Sequence, residues 1–352
     1  MANQNIRTPR FYTDLIGYHR ARGSEIGSVT ATNASNGFIG LPTNNNVGDL
    51  LDLRPLNQVT FDTSADTDGH VLFNFIFSAA SYKQTYVAIL NHNLNSCDGR
   101  FKIFAGNASS DITALNGANA DTSDINWSSA NSTQIVNADT IAASDSNKTV
   151  TVTPASDGST ILTFDETNLR YWAIQFEGDT AWDGSTDFKL GGVMIGEHFD
   201  MPQSPDLSLT RRIHYDKVEI QESLGGQKFA NATSFGRTAS STSKSPFALG
   251  TYGQAVYGGR IIYDMNFSFL SASSLLPSET TVYQFTDDTV ISDAWNFTDG
   301  PHRPFIFSID NSSTGTNAES EHMFARFNQD SLNMQQVAPD VYNISLSIAE
   351  EL

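Results

Sequence analysis

Apolar residues in this chain come in short runs that stop at turn formers, never in the long periodic stretches that build helices. Two such runs match in kind. YVAILNHNL covers 86–94, and RYWAIQFEG covers 170–178, followed by FKLGGVMIGEHF at 188–199. Each enters as a strand and ends in Asn, Gly or His. Polar, turn-rich sequence separates them. Strands that meet from distant parts of a chain are the mark of an antiparallel sandwich. No long amphipathic helix and no internal repeat is found, so the expected fold class is all-β.

Residues 59–200 are expected to form one β-sandwich. Its strands are read at Val59–Asp62, Val71–Phe77, Tyr86–Leu90, Phe101–Phe104, Thr149–Thr153, Thr160–Phe164, Tyr171–Phe176 and Lys189–Ile195. Val71, Phe73, Phe75 and Phe77 recur at period two, with Asn74 facing the other way. The stretch 106–147, rich in Ala, Asn, Ser and Asp, is read as a surface excursion with minor strands. Pro202 and Pro205 mark a linker. Residues 201–352 are expected to form a second β-rich domain. Its strands are read at Leu207–Arg211, Lys217–Gln221, Arg260–Leu270, Pro304–Ile309, Met323–Phe327 and Val341–Ile348. A short helical turn is read near Ser271, and 282–295 is left open.

The charge narrows the partners. Acidic residues outnumber Lys and Arg by 39 to 20, a formal net charge of −19. That field repels phosphate backbones and anionic membranes, so neither nucleic acid binding nor membrane insertion is expected. Against it, Arg7, Arg10, Arg20 and Arg22 cluster near the N-terminus. Residues 1–58 are read either as an arm or edge strands that dock on a neighbouring copy, or as an ordinary packed segment. If they form an arm, deleting residues 1–24 should block assembly and leave the sandwich folded. The N-terminus lacks the apolar core of a signal peptide. A chain made and kept in a cytoplasm, or released by lysis, is therefore the expectation.

Catalytic motifs are missing from the sequence. There is no G-x-S-x-G elbow, no phosphate loop and no dinucleotide fingerprint. The lone Cys97 precedes Asp98, whose charge disfavours a thiolate. His92, between Asn91 and Asn93, reads as turn structure rather than a site. The chain is expected not to be an enzyme. No cofactor is expected, with calcium as the one open metal. DTSADTDG at 62–69 spaces Asp62, Asp66 and Asp68 before a glycine bend, which suits a hard cation or is merely an acidic turn. Trp182 and Asp183, in GDTAWDG, with Trp127 in the excursion, offer an aromatic platform for a carbohydrate. For Trp182 the alternative is a rim residue that closes the sandwich.

The order of Val71–Phe77, YVAILNHNL, FKIF, RYWAIQF and LGGVMIGEHF resembles the galactose-binding-like, discoidin-type jelly roll. More broadly, YVAILNHNL, MIGEHFDMPQSPDLSLTRR, GGQKFANATSFGR, GRIIYDMNFSFLSASSLL, RPFIFSID and the opening RTPRFYTDLIGY are similar to tail and baseplate adaptor proteins of tailed bacteriophages. The resemblance implies a virion structural protein, located in the tail, that assembles with copies of itself and with other virion proteins. It transfers no catalytic residues. A host-surface glycan is the alternative partner.

Overall fold

The computed structural model describes residues 7–22, 27–32, 37–77, 82–108, 135–137, 140–144, 149–214, 219–231, 260–275, 290–313 and 321–351. The protein is all-β, built from antiparallel sheets, with short helices at Leu15–Arg20 and Val290–Phe297. No helix among the described residues is long and apolar enough to cross a membrane.

The two matched runs lie in different sheets. Tyr171–Gly178 is central in a six-stranded sheet, between Val71–Ile76 and Gly99–Gly106, with Gly27–Val29, Thr149–Thr153 and Thr140–Ser144 outside them. Gln84–His92 is central in a four-stranded sheet, between Gly192–Gly196 and Gly158–Thr167, with Ile135–Val136 beyond. The period-two residues of Val71–Phe77 bury one face of the first sheet. There Phe75 stacks on Trp172 at 6.2 Å. Val87 and Ile89 of the second sheet share that core. The arrangement is sandwich-like.

The run YVAIL does not alternate, because its strand is covered on both faces. Val87 and Ile89 face the sandwich core, while Tyr86, Ala88 and Leu90 join Tyr12, Ile306 and Phe324 in a second cluster. A strand buried on both sides reads as a continuous apolar run. The covering layer is an eight-stranded sheet. Its main path runs His198–Asp200, Arg10–Tyr12, Phe305–Ser308, His322–Phe327, Val341–Glu350, Arg260–Ser271 and Thr210–His214, and Met334–Ala338 also pairs with Val341–Glu350.

The N-terminal segment is part of this body. Arg10–Tyr12 pairs on both sides, with His198–Asp200 and with Phe305–Ser308. Phe11, Leu15 and Ile16 are fully buried. Of the two readings of this region, residues 7–22 fit the packed segment and not an arm standing off the fold. The strand read at Lys189–Ile195 is split into Phe188–Leu190 and Gly192–Gly196. Gly191 separates them where the Pro55 carbonyl comes too close for a side chain. The open segment 282–295 ends in the helix Val290–Phe297.

Candidate functional site

Among the described residues, the most exposed apolar side chains gather where the eight-stranded sheet ends. Among the described residues Thr210–His214 pairs only with Arg260–Asp264, and all five of its residues are exposed. Beyond it, Glu219–Glu222 and Lys228–Asn231 form a hairpin that pairs with no other described strand. The turn closes through Ser223 N–H to Gln227 O and Gly226 N–H to Ser223 O, both 2.8 Å. Gly226 has φ +80°, which a residue with a side chain adopts only at a cost.

Leu207, Ile213, Ile220, Leu224 and Phe229 are all exposed here, from 54% for Ile213 to full exposure for Leu224. Elsewhere on the described surface, large exposed apolar side chains are scattered. The register puts Ile220 opposite Ala230 and Phe229 opposite Gln221. Since successive residues point to opposite faces, Ile220 and Phe229 lie on opposite faces of the hairpin. A lone two-stranded hairpin is marginal in water, and an open edge strand invites pairing. The hairpin thus carries an exposed apolar residue on each face.

The residues singled out in the sequence have other surroundings. Trp182 is 3% exposed, so it presents no face on which a sugar ring could stack. Its ring packs on Phe188 at 5.4 Å, and its Nε1–H donates to the Gly69 carbonyl at 2.7 Å. Its backbone N–H reaches the Thr67 carbonyl. Trp182 thus pins the Asp66–Gly69 turn from inside. A hydrogen bond from Thr186, and then those from the Ser185 hydroxyl and N–H, hold the Asp183 carboxyl below the usual range. Trp127 lies outside the described residues. Asp62, Asp66 and Asp68 are exposed, and no group of three or more metal-ligating side chains gathers among the described residues.

Each N-terminal arginine has an intramolecular role. Arg10 is buried and grips Asp200 with Nε and Nη2, at 2.5 and 2.8 Å. Arg22 lies over the Tyr18 ring at 3.5 Å and donates to Asp299 at 2.9 Å. Arg7 sits 3.8 Å from Asp310 and donates to the Ser312 hydroxyl. Arg20 donates to the Gly48 carbonyl at 2.9 Å.

His92 and its asparagines hold loops together. His92 Nδ1 accepts from the Leu94 N–H, which makes Nε2 the donor to Thr160 Oγ1 at 2.9 Å. Asn91, at φ +45°, donates to the Pro55 carbonyl, and Asn93 bonds Asp187 and Lys189 backbone groups. Cys97 is buried, and burial, then Asp157 and Asp98, push its thiol up to about 12. It is inert at neutral pH.

Compared with protein families, with curated proteins and with solved structures, the chain finds no match.

Proposed function

We propose that this chain is a structural component of a tailed-phage virion, placed in the tail or its distal baseplate, and that it works by contact rather than catalysis. Its partners are copies of itself and other virion proteins. The first of its two β-rich domains, 59–200, is read as the galactose-binding-like jelly roll and the second, 201–352, as the assembly domain. The phage reading rests on the sequence resemblances. The assembly reading is carried by one observation: an exposed hairpin, apolar on both faces, beside the strand Thr210–His214, which pairs on one side only among the described residues. Exposed apolar patches of this kind mark interaction surfaces. The glycan-adsorption alternative has lost its best platform with the burial of Trp182.

The test is a triple variant, Ile220→Ser, Leu224→Ser and Phe229→Ser. These side chains are exposed, so the fold and its melting temperature should be unchanged. Sedimentation velocity should show concentration-dependent association of the parent chain, lost in the variant. A parent chain that stays monomeric at about 100 μM, a concentration at which even weak contacts of micromolar Kd are filled, would count against the hairpin as an assembly contact.

A further inference from the structure

A second surface feature runs against the charge of the molecule. A cleft of about 650 Å³ opens beside the helix Leu15–Arg20. Four arginines line it, Arg20, Arg54, Arg303 and Arg326, against two carboxylates, Asp52 and Glu351. In a chain of net charge −19, this is a local excess of positive charge. The four guanidinium groups differ in what they have left to give.

Arg326 is fully engaged. Its Nε and Nη2 hold Glu351 at 3.1 and 3.2 Å, and its Nη1 donates to the Pro301 and His302 carbonyls. It builds the wall and cancels Glu351. Arg54 is the opposite case. Its side chain is 74% exposed, and its nearest ion pair, to Asp52, is loose at 4.0 Å. Arg20 spends Nη1 on the Gly48 carbonyl. Arg303 is the buried member, with its side chain 8% exposed. Its Nε pairs with Asp299 at 3.0 Å, yet Nη1 and Nη2 have no acceptor among the described residues. Asp299 is shared with Arg22, so one carboxylate serves two guanidinium groups. A Cβ on Gly17, a cleft-lining residue, would lie 3.6 Å from Arg303 Nη1 and closer still to the Asp14 carboxylate, so Asp14 stands beside Arg303 behind this part of the wall.

The cleft lining itself carries two guanidinium groups more than carboxylates, and such an excess on a low-dielectric wall focuses potential into the space in front of it. The remote acidic surface is screened beyond about 8 Å at physiological salt, so inside the cleft the arginines decide. The same acidic surface disfavours a long polyanion, which would have to lie across it. The volume lies within the roughly 300–1,000 Å³ usual for small-molecule sites. Leu51, Leu53 and Pro304 supply apolar wall, which gives an organic body something to pack on. A planar guanidinium matches a planar carboxylate with two parallel hydrogen bonds.

We infer that this cleft is a binding site for a small organic carboxylate, contacted by Arg20 and Arg54. The site lies apart from the hairpin and does not depend on the assembly reading.

The experiment titrates the full chain with benzoate, citrate and benzamide, followed through the methyl resonances of Leu51 and Leu53 and by calorimetry. Benzoate or citrate should bind saturably at one site and shift those methyls. Benzamide, the same shape as benzoate without the charge, should bind at least tenfold more weakly. Arg20→Ala with Arg54→Ala should weaken the carboxylate at least tenfold. Arg54→Glu alone, at an exposed position, should do the same and guards against misfolding of the double variant. The inference is overturned if neither carboxylate saturates by about 20 mM, a limit well above millimolar Kd. It is equally overturned if benzamide binds as well as benzoate, or if Arg54→Glu leaves the affinity unchanged.

Discussion

Asp14 shows how burial sets the chemistry of a single side chain. It caps the helix Leu15–Arg20 and accepts from the Ile16 and Gly17 N–H groups at 3.1 and 2.8 Å. Those bonds and Arg303 favour its charged form. Burial works against them and dominates, so its carboxyl is pushed up to about 7. The folded state therefore binds this proton more tightly than the unfolded chain, whose aspartates titrate near 3.9. By linkage, the contribution to stability is fully present below about pH 4, declines as pH rises, and is lost above about pH 7. The swing is on the order of 4 kcal/mol at most. Asp14→Asn keeps a capping oxygen and removes the titration. Urea denaturation between about pH 4.5 and 7.5 should show the parent losing stability relative to the variant as pH rises. Parallel pH profiles for the two chains would contradict this account. The sequence held a trace of the feature, since an Asp before LIGYHR is a helix-start signal. Its burial was not legible, because the residues that cover it come from other parts of the chain.

At the scale of elements, strands with their own apolar pattern were readable. Thr149–Thr153 has the expected bounds, and Val71–Ile76 and Tyr171–Gly178 nearly so. The short pieces were not. A three-residue strand such as Arg10–Tyr12 or a six-residue helix such as Leu15–Arg20 is too brief to show a period, and both owe their existence to tertiary contacts. The hairpin's position was approached by the reading of Lys217–Gln221 as a strand. Its importance was not, since exposure on both faces cannot be told from sequence. The cleft was invisible for a related reason: its arginines sit at positions 20, 54, 303 and 326.

One junction between elements can be tested directly. Gly196 ends the strand that borders Gln84–His92, and a Cβ there would fall 1.9 Å from the Thr13 carbonyl oxygen. The obstacle is backbone, held by the Tyr86 hydroxyl at 2.8 Å from that same oxygen and by the Thr13 N–H on the Glu197 carbonyl. It cannot swing aside as a side chain would. Gly196→Ala should cost on the order of 3 kcal/mol, read as a lower urea midpoint. Gly184→Ala is the control, because its nearest neighbour is the Thr67 methyl at 3.8 Å. Equal midpoints for both variants would mean that the close approach carries no strain.

For the whole molecule, the question is what the N-terminal segment holds together. Arg10–Tyr12 is the link between His198–Asp200 and Phe305–Ser308, two strands far apart in the chain. Tyr12 reaches further. Its ring meets Tyr86 of the four-stranded sheet at 5.0 Å, and its side chain lies in the cluster that includes Ile306 and Phe324. Phe11 faces the opposite way, onto Phe305, Phe307 and Phe327 at 5.5–5.9 Å. Removing residues 1–22 would expose two strand edges and forfeit the burial of Phe11, Tyr12, Leu15, Ile16 and Tyr18. At roughly 2 kcal/mol for each such side chain, the loss is on the order of 10 kcal/mol, as large as the whole stability of a typical domain, about 5–15 kcal/mol. The truncated chain should therefore lose its cooperative thermal transition and collect in the insoluble fraction, whatever partners are present. This changes the meaning of the deletion experiment that the basic charge of the segment first suggests. A truncated chain missing from assembled particles would report a folding failure, not a lost docking contact. Adding a peptide of residues 7–22 in trans separates the two: it should restore solubility and a cooperative melt if the segment is structural. A truncated chain that melts like the parent without the peptide would return the segment to the role of an arm.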